Sequence, residues 1–278
     1  MERVLESETG MRTWFAMMGR RVIAAIGVFA IAASTACESR RESAPRVEAD
    51  PEILYSNVWS ADSGLDLFSR GAELVRATFE AGEYTYFVGL DKSYPGFREA
   101  VGGPARHDDP DKSDLMTWAV PANSKQRPAT VFEHITDFTA TQTNVSATVC
   151  RYMLYPGDEF NATLNPLDEA SRIELSNSAE SAGLPGSADS RYDSQDPHAH
   201  RPPTWNAFGT WKIDKIRWTK TVAGESIPNG CVDWWQQRFP TFTEKTEQNV
   251  LSGPEGFVAP TQPVAIQYPE WIGPGRSD

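Results

Sequence analysis

Apolar residues recur along this chain in three different rhythms, and each rhythm marks a different kind of element. Residues 22–33 form an uncharged run made almost wholly of apolar residues. It follows Arg20-Arg21 and ends in Ser34-Thr35-Ala36-Cys37. From residue 62 to 83 the rhythm is helical. Phe68, Ala72, Val75 and Phe79 fall at spacings of 4, 3 and 4, so they share one helix face, which Leu67 and Leu74 widen. Asp62 or Ser63 is placed to cap the start, and Gly82 to stop the helix. Gly71, inside the stripe, predicts a close approach by a neighbouring element. A short second helix is expected at Phe97–Val101, after the turn Tyr94-Pro95-Gly96.

Period two takes over later. Residues 115–120 can form a short strand. Residues 130–141 are rich in β-branched and aromatic side chains. Residues 142–144 make a tight connection. Residues 145–155 follow, with Val145, Ala147, Val149, Met153 and Tyr155 on one face. Thr148, Cys150, Tyr152 and Leu154 make the other face apolar at its far end. A strand buried on both faces is central in its sheet. Residues 172–176 alternate, with Ile173 and Leu175 opposite Arg172 and Glu174. In residues 208–222 the phase changes: Trp211 and Ile213 share one parity, Ile216 and Trp218 the other. A slip of one residue would expose two of the four, so a β-bulge is expected at Asp214-Lys215.

The connecting stretches are polar. Residues 106–114, with His107-Asp108-Asp109-Pro110-Asp111, read as a loop. Residues 177–203 read as a long flexible loop and residues 241–278 as a Pro/Gly-rich tail. The fold class is therefore α+β, with N-terminal helices packed on a curved antiparallel sheet. Helix, short helix and a meander of long bent strands, over roughly residues 60 to 222, resemble the NTF2-like cone. Residues 132–152, with Ala147-Thr148-Val149-Cys150, and the closing Cys231-Val232-Asp233-Trp234-Trp235 also resemble uncharacterised exported proteins of actinobacteria. The resemblance implies a cone-shaped domain over residues 59–240. It implies no activity, because that fold hosts isomerases, hydrolases, binding modules and scaffolds.

The first apolar run has the layout of an export signal: a positive end, a short greasy middle and small residues at the cut. Counted on to Ala36 it is about 15 residues long, short of the ~20 that a spanning helix needs. Glu2, Glu6 and Glu8 suit a signal poorly, so Met11, Met17 or Met18 are candidate starts. Ser34-Thr35-Ala36-Cys37 resembles a bacterial lipobox, although Ser34 stands where that family prefers Leu, Val or Ile. The resemblance implies that residues 1–36 are removed and that Cys37 carries a lipid. Residues 37–58 then form anchor and tether. An ordinary secretory site cut before Cys37 is the alternative. The chain has three Cys. If Cys37 takes the lipid, Cys150 and Cys231 are left to form one disulfide, closing a loop of about 80 residues for a nominal ~2–4 kcal/mol.

Composition narrows the partners. The net charge of −12 repels phosphate backbones, so nucleic acid is not an expected partner. No Gly-rich phosphate loop, Gly-x-Ser-x-Gly elbow, paired His-Glu helix or four-Cys cluster occurs in the sequence. No cofactor and no metal are expected. His198-Ala199-His200 with Asp193 and Asp196 falls in a Pro-flanked loop with little to hold ligands in place. His134, Asp137, Arg151 and Asp214 lie on expected strands and are candidates for acid–base work. His134 and Asp137 have opposite strand parity, which counts against a dyad. Trp234 and Trp235 are candidates for a ligand platform; as neighbours, at least one is expected to point away from the core. The expected function is a lipid-anchored envelope module on the outer face of the cell membrane that binds a small hydrophobic ligand or an envelope protein, without catalysis. The alternatives are an isomerase or hydrolase using a pocket His or carboxylate, and an accessory subunit of an envelope transport complex.

Overall fold

The structure, a computed structural model, describes residues 53–103, 110–112, 126–157, 169–183, 186–188, 202–203, 205–219, 226–244 and 250–274. Residues 1–36, which read as an export signal in the sequence, Cys37, residues 115–120, His107, His198 and His200 lie outside the described residues. In chain order the main elements are β1 (Tyr55–Ala61), α1 (Arg70–Val88), α2 (Phe97–Val101), β2 (Ala129–Ala140), β3 (Asn144–Leu154), β4 (Glu169–Asn177), β5 (Gly186–Ala188), β6 (Trp211–Trp218), α3 (Asn229–Arg238), β7 (Thr243–Glu244), β8 (Leu251–Ser252) and β9 (Ile272–Pro274). The fold is mixed α+β around a five-stranded sheet in the order β1-β2-β3-β4-β6.

The sheet begins with a strand that the hydrophobic pattern does not announce. β1 lies parallel to β2, whereas the other neighbours are antiparallel. Tyr55, at its start, and Ile53, just before it, are buried. A parallel neighbour needs a long crossover, and α1 and α2 lie within it.

The helix start expected at Asp62 or Ser63 moves to Ser69, whose Oγ accepts from the Ala72 amide. Asp62 serves the sheet instead: its amide donates to the Ile135 carbonyl. Gly82 lies inside the helix, and Gly89, at φ 81°, ends it. The α1 stripe is real, but the helix is covered all round, since residues 71–85 are all buried. Phe68 falls outside it and is exposed. At Gly71 an added Cβ would stand 2.8 Å from both the Phe138 ring and the Ala140 Cβ, so β2 can approach α1 only over a glycine.

Two bulges bend the sheet. In β6, Lys215 pairs with Glu174 and Ile213 with Leu175, leaving Asp214 as the extra residue, where the phase change in the sequence demands it. Trp211, Ile213 and Ile216 are consequently all buried, and Trp218 is half-buried. The second bulge is in β2, between Thr136 and Thr139, where Asp137 adopts φ 51°.

Each face of the sheet has its own core. α1, α2 and the inward residues Val131, Ile135, Val149 and Ile173 build one. α3 builds the other, with Tyr152, Leu154, Trp234, Trp235, Phe239 and Phe242. The Cys150–Cys231 disulfide ties β3 to α3 inside that second core. The stretch 250–274 has little regular structure, yet Leu251, Ala259, Gln267 and Trp271 are buried. Its Tyr268 bonds to β1: the Trp59 amide donates to the Tyr268 carbonyl (2.7 Å), and the Tyr268 amide donates to the Asn57 carbonyl (2.9 Å). Among the described residues no helix is long and apolar enough to cross a membrane.

Candidate functional site

Charged side chains are buried within the α1–sheet interface beside its apolar core. Arg76, Glu80 and Glu83 recur at spacings of 4 and 3, so one face of α1 carries all three. The sheet register places Trp59, Glu133 and Arg151 side by side across β1, β2 and β3. Arg76, Glu80 and Glu133 are 1% exposed or less.

Glu80 is the anchor of this cluster. Its Oε1 accepts from Trp59 Nε1 (2.8 Å). Its Oε2 accepts from Tyr94 Oη (3.0 Å), Gln267 Nε2 (3.2 Å) and Trp271 Nε1 (2.7 Å). A carboxylate surrounded by donors from β1, the α1–α2 connection and the C-terminal stretch is satisfied without water. The Arg76 guanidinium lies 4.9 Å from the centre of the Trp271 ring, a cation–π contact. Arg151 Nη2 meets Glu83 Oε1 at 2.6 Å.

Three members of the cluster are left with unused bonding capacity. Both carboxyl oxygens of Glu133, the Nε and Nη1 of Arg76 and both side-chain amide atoms of Asn57, two residues before Trp59 on the same face of β1, make no hydrogen bond within the protein. Burial, reinforced by Glu83 and Glu80, pushes the Glu133 carboxyl well above its ordinary value, against the pull of Arg151 and Arg76. Burial lowers the Arg76 guanidinium, with Glu80 and Glu73 opposing. Burial raises the Tyr55 and Tyr94 phenols, and neighbouring carboxylates add to both.

The opposite face of the sheet carries the residues expected from the sequence. His134 is buried, with Asp62 Oδ1 3.1 Å from Nε2 and Ser60 Oγ 2.9 Å from Nδ1. Burial lowers its pKa, and the Asp62 carboxylate opposes that shift. Asp137 is not its partner. It sits exposed on the β2 bulge, with Thr148 Oγ1 3.4 Å from its Oδ2. Arg151 is held by Glu83 on the other face, and Asp214 is the exposed bulge residue of β6. So the four strand candidates are not brought together. Trp234 stacks on the His134 ring, with centroids 5.1 Å apart and planes at 13°. Trp235 is fully buried. The expectation that one indole points outward fails because α3 is covered on two sides, by the sheet and by Phe239, Phe242 and Phe257.

The charged stripe of α1 escaped the sequence because such spacing is ordinarily a solvated helix face. The signal was the apolar character of every other α1 face. In the sequence Asp62 reads as a helix cap, and Ser60 carries no signal without β1. Among the described residues no group of three or more His, Cys, Asp or Glu side chains is placed to hold a metal ion. No protein-family model matches the chain, and neither a curated protein nor a solved structure is similar to it.

Proposed function

We propose that the protein is an exported envelope module, held at the outer face of the cell membrane by a lipid on Cys37, which binds a small polar ligand between α1 and the sheet of an NTF2-like cone. One observation carries the binding reading. Glu133, Arg76 and Asn57 are buried together with donors and acceptors that no protein group uses. Buried polar groups are ordinarily paired, and each unpaired one costs about 1–3 kcal/mol. A ligand that offers a donor to Glu133 and an acceptor to Arg76 relieves that cost. An apolar ligand does not, so the lining selects a polar molecule over a hydrophobic one.

The test compares native and denatured masses of the full chain extracted from its own membranes. The native spectrum is expected to carry an extra small-molecule mass that vanishes on denaturation and is missing from Glu133→Leu. The denatured spectrum is expected to show acyl chains on Cys37. An extra mass retained in Glu133→Leu, or none in the wild type, overturns the binding site. An unmodified chain starting at Cys37 overturns the anchor.

A further inference from the structure

The α3 face of the sheet holds a hydroxyl, an imidazole and a carboxylate in one hydrogen-bonded chain. It lies across the sheet from the charged cluster and owes nothing to the binding reading. From this geometry we infer that Ser60 is a nucleophile, that His134 is its base, and that the site hydrolyses carboxylic esters.

The strand register creates the first contact. β1 and β2 run parallel with Ser60 opposite His134. The loop after β1 then folds back, so that Asp62 reaches the far ring nitrogen. A carboxylate only accepts, so Nε2 carries a hydrogen towards Asp62. In the neutral ring Nδ1 is then an acceptor, and the Ser60 hydroxyl, 2.9 Å away, donates to it. The two ring nitrogens are exchanged relative to the usual serine-hydrolase order, and either can take a proton.

The base is firmly oriented. Thr136 Oγ1 donates to Asp62 Oδ2 at 2.7 Å, and the Asp62 amide is fixed on the Ile135 carbonyl. Trp234 clamps the ring plane. Gly230, at the start of α3, leaves the space that Thr136 occupies, since a Cβ there would collide with the Thr136 hydroxyl. Asp62 and Thr136 are positioning residues. Ser60 is partly exposed, and its Oγ has a second acceptor, the Glu133 carbonyl at 3.2 Å, to which it can turn when the ring is protonated.

The chemistry balances without a co-reactant beyond water. Ser60 Oγ attacks the ester carbonyl carbon and its proton passes to Nδ1. The carbon–alkoxy bond breaks, and the alcohol leaves with that proton. Water then attacks the acyl carbon and gives a proton to Nδ1. The bond to Oγ breaks, the acid departs and Nδ1 returns the proton to Ser60.

The probe is a fluorophosphonate, with p-nitrophenyl acetate as substrate, on the folded full chain. Peptide mass mapping of the wild type is expected to place one adduct on Ser60, with none on denatured protein. Ser60→Ala is expected to lose the adduct and the esterase activity. Asp62→Asn is expected to slow labelling at least about tenfold. It is also expected to move the ascending limb of the pH–rate profile to lower pH, because Asp62 raises the imidazole; a merely structural Asp62 would leave that limb in place. No adduct on wild-type Ser60, equal labelling after denaturation, or an unchanged rate and profile in Asp62→Asn overturns the inference. The mapping on wild-type protein decides even if Ser60→Ala fails to fold.

Discussion

At the scale of single residues, the decisive fact is that two carboxylates of the same interface have opposite fates. Glu80 has four donors and is fully served. Glu133 has none, and its carboxyl is pushed upward by burial and by Glu83 and Glu80. This has a sign for stability. A carboxyl with a raised folded-state pKa favours folding below its unfolded value, near 4.5. That contribution is lost as pH climbs towards the raised value. Glu133→Gln removes the ionisation. The variant is therefore expected to gain stability over the wild type between pH 4.5 and pH 8, by about 1–3 kcal/mol at the upper end. Urea unfolding of both proteins at the two pH values measures it; a constant difference would contradict the assignment. None of this was legible in the sequence, where Glu133 is one polar residue in an alternating strand. Parity puts it on a face, but only tertiary packing says that a helix covers that face.

At the scale of elements, the readable features were those with a local cause. The bulge at Asp214 followed from a phase change in four large apolar residues. α2 followed from its flanking turn. The close approach at Gly71 followed from a glycine in an apolar stripe, and it yields a prediction. An alanine there gains helix propensity of about 1 kcal/mol but drives its methyl into the Ala140 Cβ, which is fixed to the strand backbone. Gly71→Ala is expected to lose about 1–3 kcal/mol net, seen as a lower thermal midpoint; an unchanged or higher midpoint would mean that β2 can yield. The elements that stayed hidden had distant causes. β1 is short and mixed in polarity, and its identity as a strand depends on Tyr268 and on β2, both far along the chain. α3 was hidden by its two tryptophans, because burying adjacent residues on a helix needs cover on two sides.

At the scale of the molecule, the sheet is a partition. The α1 side holds charge and unused hydrogen-bonding capacity; the α3 side holds aromatic stacking, the disulfide and the Ser60–His134–Asp62 chain. The two candidate activities share β1 and β2 but few side chains, so substitutions at one site should leave the other intact. The contact of Tyr268 with β1 has a consequence of another kind. A sheet edge with open amides and carbonyls invites a strand from a second molecule. Here Tyr268 occupies part of that edge and leaves fewer of its groups open to a second molecule. Removing residues 263–278 uncovers β1 and also takes Gln267 and Trp271 from Glu80, so it is expected both to lower the thermal midpoint and to give concentration-dependent sedimentation. A truncated chain that stays monomeric would mean the edge needs no cover.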